Sequence, residues 1–238
     1  MSYIFFYFSL QQKIKELRYV FLLGVLSLLA VPAKAQTMSA LEVAQKLQNT
    51  YEKAENLAAE FKQTTTTKFS SRVRQGSGTM IFSKPGRMRW DYLTPDHQVL
   101  ISDGETISMY FEKNNQMIVS NAKDYLQSDV TYSFFAGSGN ILKDFDVSEP
   151  DIFKQPEDSF LIKMTPKSLH PHVSSLHLWV SQDNFLITHL QIVDHFDTVT
   201  DLFFNNIVID TDYYENRKIE DDLFIFKPPP GTEIIEQF

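Results

Sequence analysis

Histidine is the first residue type to weigh for chemistry, and the chain has six: His97, His170, His172, His177, His189 and His195. None belongs to an H-E-x-x-H pair, the spacing that puts two imidazoles on one helix face to hold zinc. His170-Pro171-His172 flanks a proline in a predicted loop, where imidazoles meet solvent sooner than a metal. Gly137-Ser138-Gly139 lacks the G-x-S-x-G elbow of a nucleophilic serine, and no predicted strand feeds it. Asp210-Thr211-Asp212 opens like a calcium loop but lacks the glycine and closing glutamate. Glu220-Asp221-Asp222 reads as a solvated turn. No triad, dyad or metal set emerges. The residues predict a non-enzyme with no metal and no cofactor.

The elements around these residues are mostly strands. Ser39-Ala40-Leu41-Glu42 fits a capping box, and Leu41, Ala44, Leu47, Tyr51, Ala54, Ala58 and Phe61 follow at helical steps. From Thr64 the pattern turns to short β-branched and aromatic runs, predicting strands near 61–69, 77–83, 87–92, 97–102, 106–111 and 116–120. Pro85-Gly86, Thr94-Pro95-Asp96, Asp103-Gly104 and Asn114-Asn115 punctuate them, with Asp103-Gly104 read as a type I′ hairpin turn. A second series is expected at 159–165, 174–181, 185–194, 198–210 and 223–227. Between the two, Ala122 to Phe145 is aromatic, lacks alternation and reads as short helices with a flexible joint. The Thr64–Thr67 run reads as the solvent side of a strand. One antiparallel sheet with a helical lid is the simplest arrangement.

The N-terminus reads as an export leader. Lys13, Lys15 and Arg18 precede the apolar run Val20–Val31, and Ala33-Lys34-Ala35 is a small-x-small cleavage site. The run has 12 residues, short of the roughly 20 a spanning helix needs. The apolar stretch Tyr3–Leu10 makes the region before the basic residues unusually long. Cleavage after Ala35 is expected to leave 203 residues, read as one domain over 36–238. That domain carries a net charge near −11, which argues against nucleic acid and against electrostatic membrane adhesion. With no cysteine, burial alone must hold it together, and Gln36 stands where a bacterial lipoprotein has its acylated Cys.

Apolar bulk is the conspicuous feature: 20 Phe, 10 Tyr and 2 Trp. Leu176, Leu178 and Val180 alternate with Trp179, and Leu202 and Phe204 with Phe203, so these strands are apolar on both faces. An ordinary packed core explains that, and so does a cavity on one side.

Longer motifs are more specific. Ser83-Lys84-Pro85-Gly86-Arg87-Met88-Arg89-Trp90-Asp91-Tyr92, then Pro95 and Val99–Gly104, resembles the core signature of the LolA family of outer-membrane lipoprotein carriers. Phe61-Lys62-Gln63, Phe134-Phe135-Ala136-Gly137, Phe145-Asp146-Val147, Leu161–Lys167 and Phe224–Gly231 resemble further family segments in the same order. The resemblance implies an α+β, mainly antiparallel fold: a half-open β-barrel covered by short lid helices, with an N-terminal amphipathic helix. It implies a soluble periplasmic monomer that shelters lipoprotein acyl chains in an apolar cavity. Its partners would be an inner-membrane ABC transporter and an outer-membrane acceptor lipoprotein. A carrier or sensor of another lipid is the alternative on the same fold. A hydrolase is the alternative of another class, and no catalytic set supports it.

On β-strand alternation Met88, Trp90 and Tyr92 share one face, assigned to the cavity, while Arg87, Arg89 and Asp91 share the other. Lys84, Phe134 and Phe135 are assigned to lid contacts. Lys84 stands where the family commonly has an Arg that hydrogen-bonds lid backbone. An ammonium lacks the planar fork of a guanidinium, so Arg87 or Arg89 is expected to share that work. On this reading Lys84→Leu disturbs cargo transfer more than folding.

Overall fold

Ser39 starts the first helix as its sequence requires. Its hydroxyl accepts the Glu42 N–H at 3.3 Å while the Glu42 carboxylate accepts the Ser39 N–H at 2.9 Å, so both orphan donors are satisfied. The computed structural model describes residues 38–68, 72–123, 125, 135, 139–151, 157–214 and 216–237. The expected leader and Phe134 lie outside them. Helix α1 spans Ala40–Lys53 and buries Val43, Ala44, Leu47 and Tyr51. It stops short of the predicted stripe, because Ala54 turns extended at φ −66° and ψ 125°. Ala58 and Phe61 belong instead to strand β1, where Phe61 faces the helix side and Ala58 the opposite side. A spacing of three and four residues fits both geometries at an element boundary.

Strands β1 (Asn56–Thr67), β2 (Val73–Ser83), β3 (Arg87–Thr94), β4 (Gln98–Asp103), β5 (Thr106–Phe111) and β6 (Gln116–Asn121) form a meander. After them come the one-turn helix α2 (Ile141–Asp144), β7 (Phe145–Ser148), β8 (Ser159–Pro166), β9 (Ser175–Ser181), β10 (Ile187–Val193) and β11 (Thr198–Ile209). The short pair β12 (Tyr213–Tyr214) and β13 (Arg217–Lys218) stands apart, and β14 (Glu233–Gln237) ends the chain. The twelve remaining strands make one sheet in the order β14-β6-β5-β4-β3-β2-β1-β11-β10-β9-β8-β7. Long β1 joins the two series, pairing with β2 on one side and β11 on the other. All pairs within this sheet are antiparallel except β14 with β6. The ends β14 and β7 do not pair with each other, so the α+β fold is an unclosed, barrel-like sheet.

Three expectations are corrected. Residues 223–227 form no strand: a 3₁₀ turn covers Asp221–Phe224, and the last strand comes later, at Glu233–Gln237. Asp103 is not the left-handed residue of a type I′ turn. Gly104 takes the positive φ of 102°, and the Asp103 carboxylate accepts the Glu105 and Thr106 N–H groups at 2.9 and 2.8 Å. Thr65 is buried, not solvent-facing, and its hydroxyl meets that of Thr200 at 3.1 Å.

The tail crosses the outer face of the meander. Leu223 and Phe224 bury against Ala58 and Ile81, and Phe226 lies tilted against Tyr110 at 5.0 Å between centroids, beside Val99, Ile101 and Met117. On β3 the outward Arg89 holds both Asp91 carboxylate oxygens at 2.6 and 3.1 Å and donates to the Leu223 carbonyl at 3.1 Å. Arg87 pairs with Asp221 and lies 5.1 Å from the Phe224 ring. Both arginines therefore clamp the tail on the convex face, away from the concave side where a lid would be held.

The β2–β3 pair contains a bulge at Ser77/Gly78 that brings two backbones close together. A Cβ on Gly78 would lie 1.8 Å from the Asp91 carbonyl oxygen. Gly78→Ala is expected to lower the unfolding free energy by about 3 kcal/mol, read from the shift in urea midpoint. An unchanged midpoint would show that the bulge is not required.

Candidate lipid-binding site

The concave face of the sheet carries a continuous layer of rings. Phe61 on β1 meets Trp90 at 4.8 Å and Tyr92 at 4.9 Å between centroids. Phe82 on β2 lies 6.1 Å from Trp90, and Phe204 on β11 lies 6.5 Å from it. Phe135 is neither on the sheet nor on α1, yet it packs on Phe82, Phe204, Tyr51 and Trp90 at 5.5, 5.4, 5.8 and 6.5 Å. Edge and tilted contacts of this kind add to the burial energy of each ring.

Two hollows flank that layer. The first, about 360 Å³, is walled by Ile141 of α2, Phe145 of β7, Met164 of β8, Leu176 and Leu178 of β9 and Ile187 and Leu190 of β10. Phe135 forms its inner wall, and Lys143, Lys167 and His170 stand among its lining. The second, about 730 Å³, lies beside Tyr92, Leu100 and Met109 and is more polar, with Gln63, Thr65, Gln75 and Gln98. The Tyr92 hydroxyl donates to the Gln63 side-chain oxygen at 2.7 Å there. Tyr92, Phe61, Trp90 and Phe135 touch in series, so an unbroken chain of rings joins one hollow to the other.

Helix α1 fixes this arrangement through polar contacts at its inner surface. Tyr51 accepts the Ile187 N–H at 3.1 Å, and burial pushes its phenol far above the ordinary range. Gln48 accepts the Ile141 N–H at 2.8 Å, tying α2 to α1. The short α2 is also capped by Asn140, whose side chain accepts the Lys143 N–H at 2.9 Å.

Met88 and Trp90 are fully buried on the concave face, while Tyr92 lines the second hollow. Phe135 sits at the centre of the ring layer. The Lys84 ammonium donates to the carbonyls of Tyr51 and Glu52 at 2.9 and 2.8 Å, at the C-terminal end of α1. Lys84 and Phe135, both assigned to the lid from the sequence, line one small cleft with Tyr51 and Phe82. Free carbonyls at a helix end attract a cation, and Lys84 follows β2 directly below them. The wall formed by Met164, Leu176, Leu178, Ile187 and Leu190 went unassigned in the sequence. Its signal was the doubly apolar strand around Trp179, whose inward set is Leu176, Leu178 and Val180.

The titratable clusters lie off this site. Asp151 joins Lys163 at 2.5 Å and the buried His177 at 2.6 Å. His189 stacks between Trp179 and Phe203 at 3.9 and 4.0 Å and meets Asp201 at 2.7 Å. These residues alternate with the concave-facing ones, so they occupy the convex side. Among the described residues no three histidine or acidic side chains converge to hold a metal ion, and no helix is long and apolar enough to span a membrane.

Sequence comparison supplies the family. The profile of the outer membrane lipoprotein carrier protein LolA matches residues 52–227. An outer-membrane lipoprotein carrier protein of Nitrosomonas europaea is 32% identical over 220 residues, covering 92% of this chain and 98% of the relative. The chain belongs to the LolA family. A LolA relative of the same description from Legionella pneumophila is 27% identical over 194 residues, covering 82% of this chain and 90% of its own. In structure, an uncharacterized conserved protein of Thermus thermophilus shares the fold at a TM-score of 0.52, with 9% identity, 83% of this chain and 99% of that one. The LolA profile spans β1 to β11, the strands that build both hollows.

Two outcomes follow from the contacts above. Lys84→Leu is expected to lower the unfolding free energy by about 1 kcal/mol in urea, because two helix-end carbonyls lose their cation. Equal stability would show that these two bonds do not hold the helix end. Asp151 is held down at about 2, first by the Lys163 hydrogen bond and then by His177. Its contribution to stability is therefore full above its unfolded value near 3.8 and lost as pH falls through about 2. Acid titrations followed by circular dichroism should show wild type and Asp151→Asn converging across that window.

Proposed function

We propose that this chain is a periplasmic carrier that shelters the acyl chains of lipoproteins on their way to the outer membrane. The observation that carries the reading is the hollow of about 360 Å³ walled by β7–β10, α2 and Phe135. Each buried methylene contributes about 0.8 kcal/mol, so an acyl chain leaves a bilayer on a useful timescale only if an apolar wall replaces the lipid. The first hollow offers that wall, and Met88, Trp90 and Tyr92 provide its extension beneath Phe135. Cargo that moves Phe135 aside gains the ring layer and reaches the second hollow, whose Gln63, Thr65 and Gln98 suit the polar linkage beyond the chains.

Residues 1–35 act as the export leader and 36–238 as the single carrier domain in this reading, which works as a monomer without a cofactor. An inner-membrane ABC transporter loads it and an outer-membrane acceptor lipoprotein unloads it. Unloading requires only that the acceptor bind the acyl chains more tightly than the carrier does. The carrier names of the relatives and the absence of a catalytic set among the residues weighed above both support a non-enzymatic role.

Mass spectrometry of the species that co-purify with the chain tests the reading. Acylated protein is expected; free phospholipid or glycolipid would move the function to another lipid cargo. Leu176→Trp, which fills the first hollow, should keep the fold and lose the bound species. In a Trp179→Phe background the remaining Trp90 should change its emission on loading, and constant emission would remove Trp90 from the cargo path.

A further inference from the structure

The loop tips beside the two hollows form a surface that the overall charge conceals. Strand register puts three connections at one end of the sheet: Thr67 pairs with Thr198, Thr66 with Val73, and Val193 with Ser175. The adjoining ends of β1 and β2 and the β10–β11 and β8–β9 tips are therefore neighbours, and contacts tie them together. Lys68 meets Asp197 at 2.5 Å, His195 meets the His170 carbonyl at 2.7 Å, and Lys167 donates to the Leu142 carbonyl of α2 at 2.8 Å.

Each tip presents a bare apolar side chain next to a basic or imidazole one. Val73, 52% exposed, lies between Arg72 and Arg74; Leu169, 93% exposed, lies near Lys167 and His170; Phe196, 77% exposed, follows His195. Leu169 and Phe196 are the two most exposed large hydrophobic residues among those described. With Lys68 and Lys143 this end gathers five Lys and Arg side chains in a chain whose net charge is −8. Three carboxylates share this end: Asp197 pairs with Lys68, Asp194 accepts the Phe196 and Thr198 N–H groups at 2.7 and 2.8 Å, and Asp144 accepts the Asn140 N–H at 3.0 Å, so the five basic groups exceed them by two.

We propose that this end docks on an anionic bilayer, with Leu169 and Phe196 entering the headgroup layer and Lys68, Arg72, Arg74, Lys143 and Lys167 facing lipid phosphates. Separate projecting side chains gain more from a yielding lipid layer than from a flat protein face, and the basic residues beside them supply the attraction. Net charge sets the far field, but within a Debye length of about 8 Å the local groups decide. The consequence for transport is positional: Lys167, Leu169 and His170 also line the first hollow, so docking sets its mouth against the membrane. The surface needs no cargo, so its test is independent of the carrier reading.

Flotation of the purified, lipid-free protein with vesicles of phosphatidylethanolamine and phosphatidylglycerol, against phosphatidylcholine alone, tests the proposal. Wild type should float with the anionic vesicles and be released by salt. Leu169→Ser with Phe196→Ser should cut the bound fraction about tenfold, as should Arg72→Glu with Arg74→Glu. Leu41→Ser with Tyr213→Ser, exposed elsewhere, should float like wild type, and unfolding midpoints check that every variant folds. Wild type that ignores anionic vesicles overturns the proposal, as do tip variants that float unchanged. If vesicles are ignored while the same variants lose affinity for the transporter's or acceptor's soluble domain, the surface is a protein-docking face and the membrane assignment falls.

Discussion

A sheet that never closes must have its concave face covered by something else. Eleven strand spacings of about 4.8 Å give an arc of roughly 50 Å, whereas a 14-residue helix is only about 21 Å long. Helix α1 therefore covers one part of the interior, and curvature with Phe135 covers another. Neither hollow is lined by α1, and Phe135 stands at the inner edge of the first. Tyr51, Gln48 and Lys84 hold the helix in place at β10, α2 and the end of β2, and so decide where the uncovered regions fall.

The convex face has the complementary problem, and the tail solves it for the meander. Strand β3 shows the division in a single run of residues. Met88 and Trp90 enter the ring layer, while Arg87 and Arg89 turn outward to bind Asp221 and the Leu223 carbonyl. Leu223, Phe224 and Phe226 then cover apolar positions that would otherwise face water. A short segment thus supplies interior wall and exterior anchor together, which explains why its alternation is strict.

Much of this was legible in the sequence because local chemistry and tertiary structure agree there. The Ser39 box, the six meander strands and the inward set Met88, Trp90 and Tyr92 need only capping and a period of two. The failures occur where a side chain answers to a partner distant in the chain. Nothing near Lys84 in the sequence tells that its ammonium bonds the end of α1. Residues 224 and 226 alternate like a strand but pack one-sidedly on the outside, with Pro228, Pro229 and Pro230 ending the run. Strand β14 has the opposite disguise: Glu233, Ile234, Glu236 and Gln237 are all exposed, and pairing with β6 alone defines it. The first hollow was hidden for a further reason. Alternation distinguishes inward from outward, but not packed from empty.

Phe135 links the packed interior to the proposed carrying role through a competition. It occupies apolar contacts that an acyl chain would otherwise make with Phe82, Trp90 and Phe204. Burying a phenylalanine is worth about 1.5–3 kcal/mol, and each methylene of cargo about 0.8 kcal/mol, so about two to four methylenes offset its displacement. On the proposed carrying role a long chain would still enter, with its affinity reduced by the ring it displaces. The returning ring favours departure by the same amount. A carrier lined by an open, rigid pocket would lack that reduction and would hold its cargo against the acceptor.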